Sequence, residues 1–435
     1  MTTRRRVLSG LLSGAVAAGL ASALSLRARA QGAAAARRLE ADLVKHAGFG
    51  DKFSGGNGDN ANAGWIAERL RASGYAVQES SFDAPFFVKR ATRLSAGTLA
   101  ADVVPQAPVV ATRNGGVTAR LALVEGDAPE QADVAGCIAL VIAPFGRHAA
   151  LFPSQGIGRT VMRAAGQGAA AIVLVTTGPT GDAIALNAPE QPFVAVPMAI
   201  LAPKLSAAFV DAARSGAEAT LVVDGDATHR PCRNIVATLE RGRRWIALST
   251  PRSGWYGCVA ERGTGTAVFL ELAAWAAGRF PDHSVFAMNT GGHEYFFAGS
   301  HRVIDRAPEP ADTAVWAHIG ATLAAREAEQ RDGRWVMLDT ADPQRSLMAS
   351  DGMRELASRA FRGLTGLEEA TPIRSQAGEL STFTDRGYAN AFAVIGVHRW
   401  FHTAGDTLDC VDAELLVPVL AAHQRAIGLA VERAG

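Results

Sequence analysis

The 435 residues predict an α/β fold carrying a self-contained β/α insert, and three observations support that expectation. Hydrophobic content of 48 % is enough for packed cores, and at roughly 150 residues per domain the length suits two or three domains. Strand-like and helical runs alternate through the second half of the chain, as they do when helices cross over a mostly parallel sheet. Residues 110–230 have a strand-helix rhythm of their own. Wholesale disorder, collagen and coiled-coil architectures are excluded, and the lack of an internal repeat excludes solenoids.

The chain opens with Thr-Arg-Arg-Arg-Val-Leu at residues 3–8, then a Gly/Ala/Ser/Leu-rich stretch ending at Ala28-Arg29-Ala30. Residues 1–30 read as a twin-arginine signal peptide with a small-residue cleavage site, which predicts a periplasmic or secreted mature protein. The alternative is an uncleaved anchor, since about 20 weakly apolar residues just span a bilayer. Dilution by Gly and Ala favours cleavage, which leaves the membrane no role beyond this segment. Once its arginines are gone the chain is mildly acidic with no basic run, which argues against nucleic acid as a partner. Export permits disulfides, but Cys137, Cys232, Cys258 and Cys410 are widely spaced and form no C-x-x-C. Buried thiols are expected, and a pair such as Cys258 with Cys410 has no spacing argument behind it.

After residue 33, Leu39, Leu43 and Val44 mark one helical face, residues 49–58 form a Gly/Asn-rich loop, and residues 61–72 resume helical spacing before a short extended segment from Tyr75. Within the insert, strands are expected at 119–124, 137–142, 170–175 and 219–223, with helices at 160–165 and 205–213. Asp224 and Asp226 read as loop residues, and His148 and His229 as surface histidines. The core then alternates: strand 245–249, helix 265–277, strand 284–289, helix 297–304, strand 313–319. It closes with strand 335–338, helix 352–361, strand 391–395 and a terminal helix 413–431.

In open α/β sheets, function gathers in loops beyond the carboxyl ends of the strands. Ligand-type side chains recur there: Glu261 after the first core strand, His293 and Glu294 after the second, His318 ending the third, and His402 after the last. Glu and His are ordinary zinc ligands, and a site with three or four of them and one open position polarises water or a carbonyl. Each residue taken singly also suits a solvated charge or a satisfied histidine.

At these residues the chain resembles the secreted zinc aminopeptidases and glutaminyl-cyclase relatives of peptidase family 28, with an inserted protease-associated domain. The resemblance rests on Gly-Phe-Gly-Asp-Lys-Phe-Ser-Gly-Gly at 48–56, on Trp65-Ile-Ala-Glu-Arg-Leu, on Arg233-Asn234-Ile-Val-Ala-Thr-Leu, and above all on Phe401-His402-Thr403-Ala404-Gly405-Asp406-Thr407. It implies a mixed, mostly parallel central sheet flanked by helices. It divides the mature chain into an amino-terminal part of the peptidase-like domain at 31–109, the protease-associated insert at 110–230, and the metallopeptidase-like core at 231–435.

The family's Ala-His-x-Asp motif falls on Ser249-Thr250-Pro251-Arg252, so its first ligand is lost. The bridging aspartate falls on Glu261, the Glu-Glu pair on His293 and Glu294, the strand-end aspartate on His318 and the last histidine on His402. The resemblance therefore implies one zinc held by Glu261, Glu294 and His402, with His318 as a fourth or neighbouring group. His293 stands where the general base would be, and an imidazole accepts a proton near neutrality. Arg252, Arg262 and His398 put positive charge near the pocket. They suit either an anionic peptide or small amide substrate, or pairing with Glu261, Asp385 or Asp406. Two functions follow: an exported metal-dependent hydrolase or glutaminyl-cyclase-like acyltransferase acting on an amide or peptide bond, or a catalytically inactive relative that binds peptides. Oligomeric state is not legible in the sequence.

Overall fold

The computed structural model describes residues 29–113, 115–125, 133–373 and 378–434. Residues 1–30, read as a signal segment, lie almost wholly outside them. Two helices come first, α1 at residues 29–48 and α2 at Asn57–Ala72. Leu39 and Leu43 of α1 are buried against Ile66 and Leu70 of α2, whereas Val44, expected on the same face, is exposed.

The extended segment after Tyr75 is much longer than expected. It forms β1, Ala76–Ala96, which pairs antiparallel with β8, Glu218–Leu239, from Ala76↔Thr238 to Ser95↔Thr220. β8 runs unbroken through the region where the return to the core was read, because β1 supplies its hydrogen-bond partners throughout. Asp224 and Asp226 are strand residues rather than loop residues, and both ion-pair with Arg90 across the ribbon. His229 is exposed on the same ribbon, and His148 is half-buried with its Nε2 2.9 Å from the Pro144 carbonyl.

Between the two ribbon strands come β2 (Leu99–Asp102), β3 (Val104–Pro105), β4 (Val117–Glu125), β5 (Ile138–Ile142), α3 (Gly156–Gly166), β6 (Ala171–Val175), β7 (Met198–Leu201) and α4 (Ala207–Arg214). Strands β4 to β7 are parallel neighbours, and β4 joins the outer half of β8 antiparallel. Side chains alternate across this sheet, so Ile138 and Leu140 enter one apolar cluster while Ala139 and Val141 enter another on the opposite face.

The inner half of β8 begins the second sheet region, in the order β1, β8, β10 (Ser284–Thr290), β9 (Trp245–Pro251), β11 (Thr313–Ala321), β16 (Ala391–Gly396), β14 (Arg345–Ala349) and β15 (Ala370–Pro372). Strands β10, β9, β11 and β16 run parallel, so their carboxyl ends lie together. Helices α5 (Thr264–Arg279), α7 (Arg354–Phe361) and α9 (Ala413–Ala434) join α1 and α2 over one face, where Ile246, Leu248, Val315 and Ala317 point. Short helices α6 (Ala298–Val303) and α8 (Leu380–Thr384) help cover the other, with Ala247, Phe286 and Trp316. This is the mixed, mostly parallel α/β architecture that the sequence predicts. A separate hairpin, β12 (Arg326–Arg331) with β13 (Arg334–Ala341), extends the segment read as strand 335–338. α9 is long and apolar enough to cross a membrane, yet half of its apolar window is buried in the protein.

Candidate metal centre

Strand pleating explains why the expected residues meet. His318 lies two residues beyond Trp316 and shares its face of β11, so its ring packs on Phe383, centroids 5.3 Å apart. Glu261 sits on a π-helical turn, Val259–Gly263, that leads into α5. The N–H groups of Ala260 and Glu261 donate to the two oxygens of Asp406, at 2.7 and 3.0 Å. The aspartate of the closing His-Thr-x-x-Asp-Thr motif thus anchors the turn that carries Glu261.

Glu261, Glu294, His318 and His402 are at most 2 % exposed, and Glu379, which sequence reading missed, is equally buried. Among the described residues, the non-glycine positions with positive φ are Tyr256, Cys258, Phe296, Phe297, Thr322 and His402 around these loops, and Asp332 in the hairpin. Such conformations cost about 1–3 kcal/mol each and collect at functional sites.

The hydrogen bonds fix each group's chemistry. His402 Nδ1 donates to the Ala185 carbonyl at 2.9 Å, and its Nε2 lies 3.2 Å from Glu261 Oε1. Glu294 Oε2 accepts from the Ser54 hydroxyl at 2.5 Å. His293 Nδ1 lies 3.2 Å from Glu379 Oε2, and Thr290 donates to the other oxygen of Glu379 at 3.0 Å. His318 Nδ1 lies 2.9 Å from the Ser249 hydroxyl, which accepts from Trp316 Nε1 at 2.8 Å.

The insert closes over this cluster. Ala185 and His402 exchange two backbone-mediated bonds, and the Ala188 N–H donates to the Glu294 carbonyl at 3.0 Å. Asn187 accepts from Trp255 Nε1 at 2.8 Å, and Arg147 reaches Asp342 and the Val397 carbonyl, each at 2.7 Å.

Burial and neighbouring charge pull the carboxyls apart. Burial pushes Glu294 up to about 7 against the opposing pull of Arg262 and Ser54. Burial also pushes Glu261 up, but Arg262 and His402 outweigh it and hold the group at about 2. Glu379 likewise resists burial and is held at about 2, chiefly by His293. Burial lowers His318 to about 4, and burial with the Arg262 charge lowers His293, so both imidazoles are neutral near neutrality.

A distinctive pH dependence follows. Between about pH 4.5 and 7 the folded chain holds a proton on Glu294 that the unfolded chain has released, so the contribution of this group to stability falls as pH rises through that window. Glu294→Gln is expected to gain up to about 3 kcal/mol over wild type at pH 8 and nothing at pH 4.5. Glu261 and Glu379 act in a separate window: their contribution is complete above about pH 4.5 and is lost as pH falls toward about 2. Urea unfolding of wild type and Glu294→Gln across pH checks this, and a difference between the two proteins that does not grow from pH 5 to 8 would contradict the assignment of Glu294.

The arginines pair within the protein, one of the two courses expected, with Arg262 on a foreseen partner and Arg252 on an unforeseen one. Arg252, fully buried, pairs with Asp59 Oδ1 at 2.9 Å and donates to Asn289 Oδ1 at 3.1 Å and to the Arg233 carbonyl. Arg262 pairs with Glu261 Oε1 at 2.9 Å and donates from Nε to the Ser253 carbonyl at 2.9 Å. His398 is buried, 3.3 Å from the Thr322 hydroxyl and 3.5 Å from Asp406 Oδ1. Arg252, Arg262 and His398 thus each have a partner within the protein, the alternative that the sequence offered beside anion binding.

The expected zinc triad can be tested directly. Glu261 Oε2 and Glu294 Oε1 are buried without hydrogen-bond partners, so donor atoms are available, while His402 Nε2 faces Glu261 Oε1 at 3.2 Å. Zinc ligands at about 2.1 Å stand roughly 3.4 Å apart. Among the described residues, the trio of His, Cys, Asp or Glu with donors within 4.8 Å of one another is His398, Asp406 and Cys410. Glu261 and His402 meet that spacing, so it is Glu294 that stands off. The three do not fit one ion as placed: Arg262 holds Glu261 and Ser54 holds Glu294. The trio that has the spacing is structural in character. Both Asp406 oxygens accept backbone N–H groups, and burial raises the Cys410 thiol well above its ordinary range. All four cysteines are free and buried.

With this geometry in place, the fold class is clear: it is the zinc-exopeptidase fold. No family model and no curated protein sequence matches the chain. Solved structures do. A zinc aminopeptidase from Bacillus subtilis superposes with a TM-score of 0.69 at 16 % identity, over 91 % of this chain and 95 % of its own. An aminopeptidase from Aneurinibacillus sp. strain AM-1 gives 0.65 at 19 % identity, over 91 % and 93 %. A Peptidase M28 precursor from Shewanella amazonensis gives 0.68 at 14 % identity, over 92 % and 96 %.

Sequence reading missed Ser54, Asp59, Ala185 and Glu379. Ser54 stands inside a stretch already singled out, residues 48–56, and an unassigned hydroxyl there was its signal. The other three carry no local spacing that would reveal them.

Proposed function

We propose that the chain is an exported hydrolase of amide or peptide bonds that works at the strand-end cluster with His293 as its proton carrier. The observation that carries this reading is the His293–Glu379 pair. Glu379 is ionised, so Nδ1 of His293 holds the proton and Nε2 is left as a base, and the ring keeps 12 % exposure while its neighbours are sealed. A cavity of about 300 Å³ abuts the same loop and reaches Ser54 and Glu294. Its walls combine Phe53, Trp255 and Tyr295 of the core with Phe86 and Val109 of the ribbon and its extension, which suits a large apolar group on the substrate.

In this reading His293 Nε2 takes a proton from water as its oxygen attacks the carbonyl carbon. The same nitrogen returns the proton to the departing amine as the C–N bond breaks, leaving a carboxylic acid and an amine. The insert at residues 110–230, read as protease-associated, covers the cluster through Ala185 and Ala188. The segment read as a twin-arginine signal supports work in the periplasm or outside the cell. The single zinc expected from the resemblance has no step here.

A second reading, peptide binding without turnover, is favoured by the sealed Glu261–Arg262 pair. Screening the purified mature chain against peptides and aryl amides with large apolar side chains separates the two. Hydrolysis that is lost in Glu379→Gln supports the enzyme. Ligand binding without turnover, unchanged in Glu379→Gln, replaces it with the binding protein.

A further inference from the structure

We infer that the guanidinium of Arg262 is the resident cation of the strand-end cluster and takes the place of the zinc ion that the fold implies. The inference builds on the site proposed above but not on its activity. Arg262 is 1 % exposed and follows Glu261 on the π-helical turn, which brings its side chain back onto that carboxylate. The Ser253 carbonyl holds Nε, and the Ser253 hydroxyl accepts the N–H of His293 at 3.2 Å, so one residue sets both the cation and the imidazole beside it.

The position is confined. A Cβ added at Gly254 would lie 2.8 Å from Cys258 Sγ and 3.3 Å from Arg262 Cγ, so the glycine makes room for the thiol first and for the arginine stem beside it. The charge of Arg262 reaches Glu261, Glu294, His293 and His318, which are four of the five groups expected to hold or assist a metal. A fixed guanidinium meets a carboxylate's need for a countercharge at a buried site as a metal does, and it does not dissociate. It also accounts for the spacing: Glu261 is turned onto Arg262 and His402, and Glu294 is left to Ser54, so no common point lies within bonding distance of all three.

The test is zinc binding by the purified mature chain, read by metal content after dialysis and by the shift in melting temperature on adding zinc. Wild type is expected to retain less than about 0.1 equivalent, and Arg262→Ala, which frees Glu261 Oε1, to gain toward about one equivalent with a rise in melting temperature. That gain is expected to vanish in Arg262→Ala combined with His402→Ala. Arg262→Lys keeps the charge and is expected to stay free of zinc, which guards against a general loosening of the fold. About one equivalent in wild type, lost in Glu294→Ala and His402→Ala, overturns the inference. So does a folded Arg262→Ala that binds no zinc. Zinc in wild type that is lost only in Cys410→Ser leaves the strand-end cluster metal-free, as inferred. None of these results depends on whether the chain hydrolyses amides, so this inference and the proposed activity fail independently.

Discussion

Replacing His293 with alanine is expected to lower amide hydrolysis by about 10²–10⁴-fold, the usual contribution of a positioned acid/base group. Binding of the apolar part of the substrate is expected to change little, because His293 does not line the cavity that reaches Glu294. The loss therefore belongs in kcat, with KM nearly constant. His293→Gln keeps a donor toward Glu379 but offers no base in the neutral range, and it is expected to fail as fully as alanine. Steady-state kinetics on all three proteins checks this. A His293→Ala enzyme with at least a tenth of wild-type kcat would remove the imidazole from the chemistry.

The largest effect on stability is expected from Asp59→Asn. Asp59 and Arg252 are both fully buried at 2.9 Å, and Asp59 Oδ2 also accepts the N–H of Gly55, beside Ser54. Removing one charge strands the other in a low-dielectric interior, which costs about 3–5 kcal/mol. Arg252→Met alone is expected to be as harmful, whereas Asp59→Asn with Arg252→Met should cost clearly less than the two single losses combined. Urea unfolding of the four proteins gives the coupling. A single-variant loss below about 1 kcal/mol would mean that the pair is solvated in solution.

Much of this molecule was legible in its sequence, and what was hidden had a common cause. The alternation of strand and helix announced the α/β core, and the rule that function gathers beyond strand ends picked out Glu261, His293, Glu294, His318 and His402. Their convergence followed from the parallel strands. Their spacing did not, because it depends on which partner each head group chooses. Pairing of Arg262 with Glu261 was one of the alternatives weighed. Pairing of Arg252 with Asp59 was not, since the two lie far apart in the chain and nothing local marks Asp59. Glu379 escaped for the same reason: it orients His293 across a long separation, and its own neighbourhood resembles an ordinary short helix. The ribbon of β1 and β8 was underestimated because its exposed polar residues imitate a loop, and only the opposite strand shows that they are paired.

The closure of the cluster by Ala185 and Ala188 has a consequence for the order of synthesis. Ser54, Ala185, Glu261, Glu294, Glu379 and His402 emerge from the ribosome one after another, and His402 is the last of them. A nascent chain therefore lacks the complete cluster until residue 402 has been made. Any protein shortened at its carboxyl end before residue 402 loses the histidine that Ala185 clamps, however well its remaining sheet folds. The cluster is complete only in a chain that has folded with residue 402 in place.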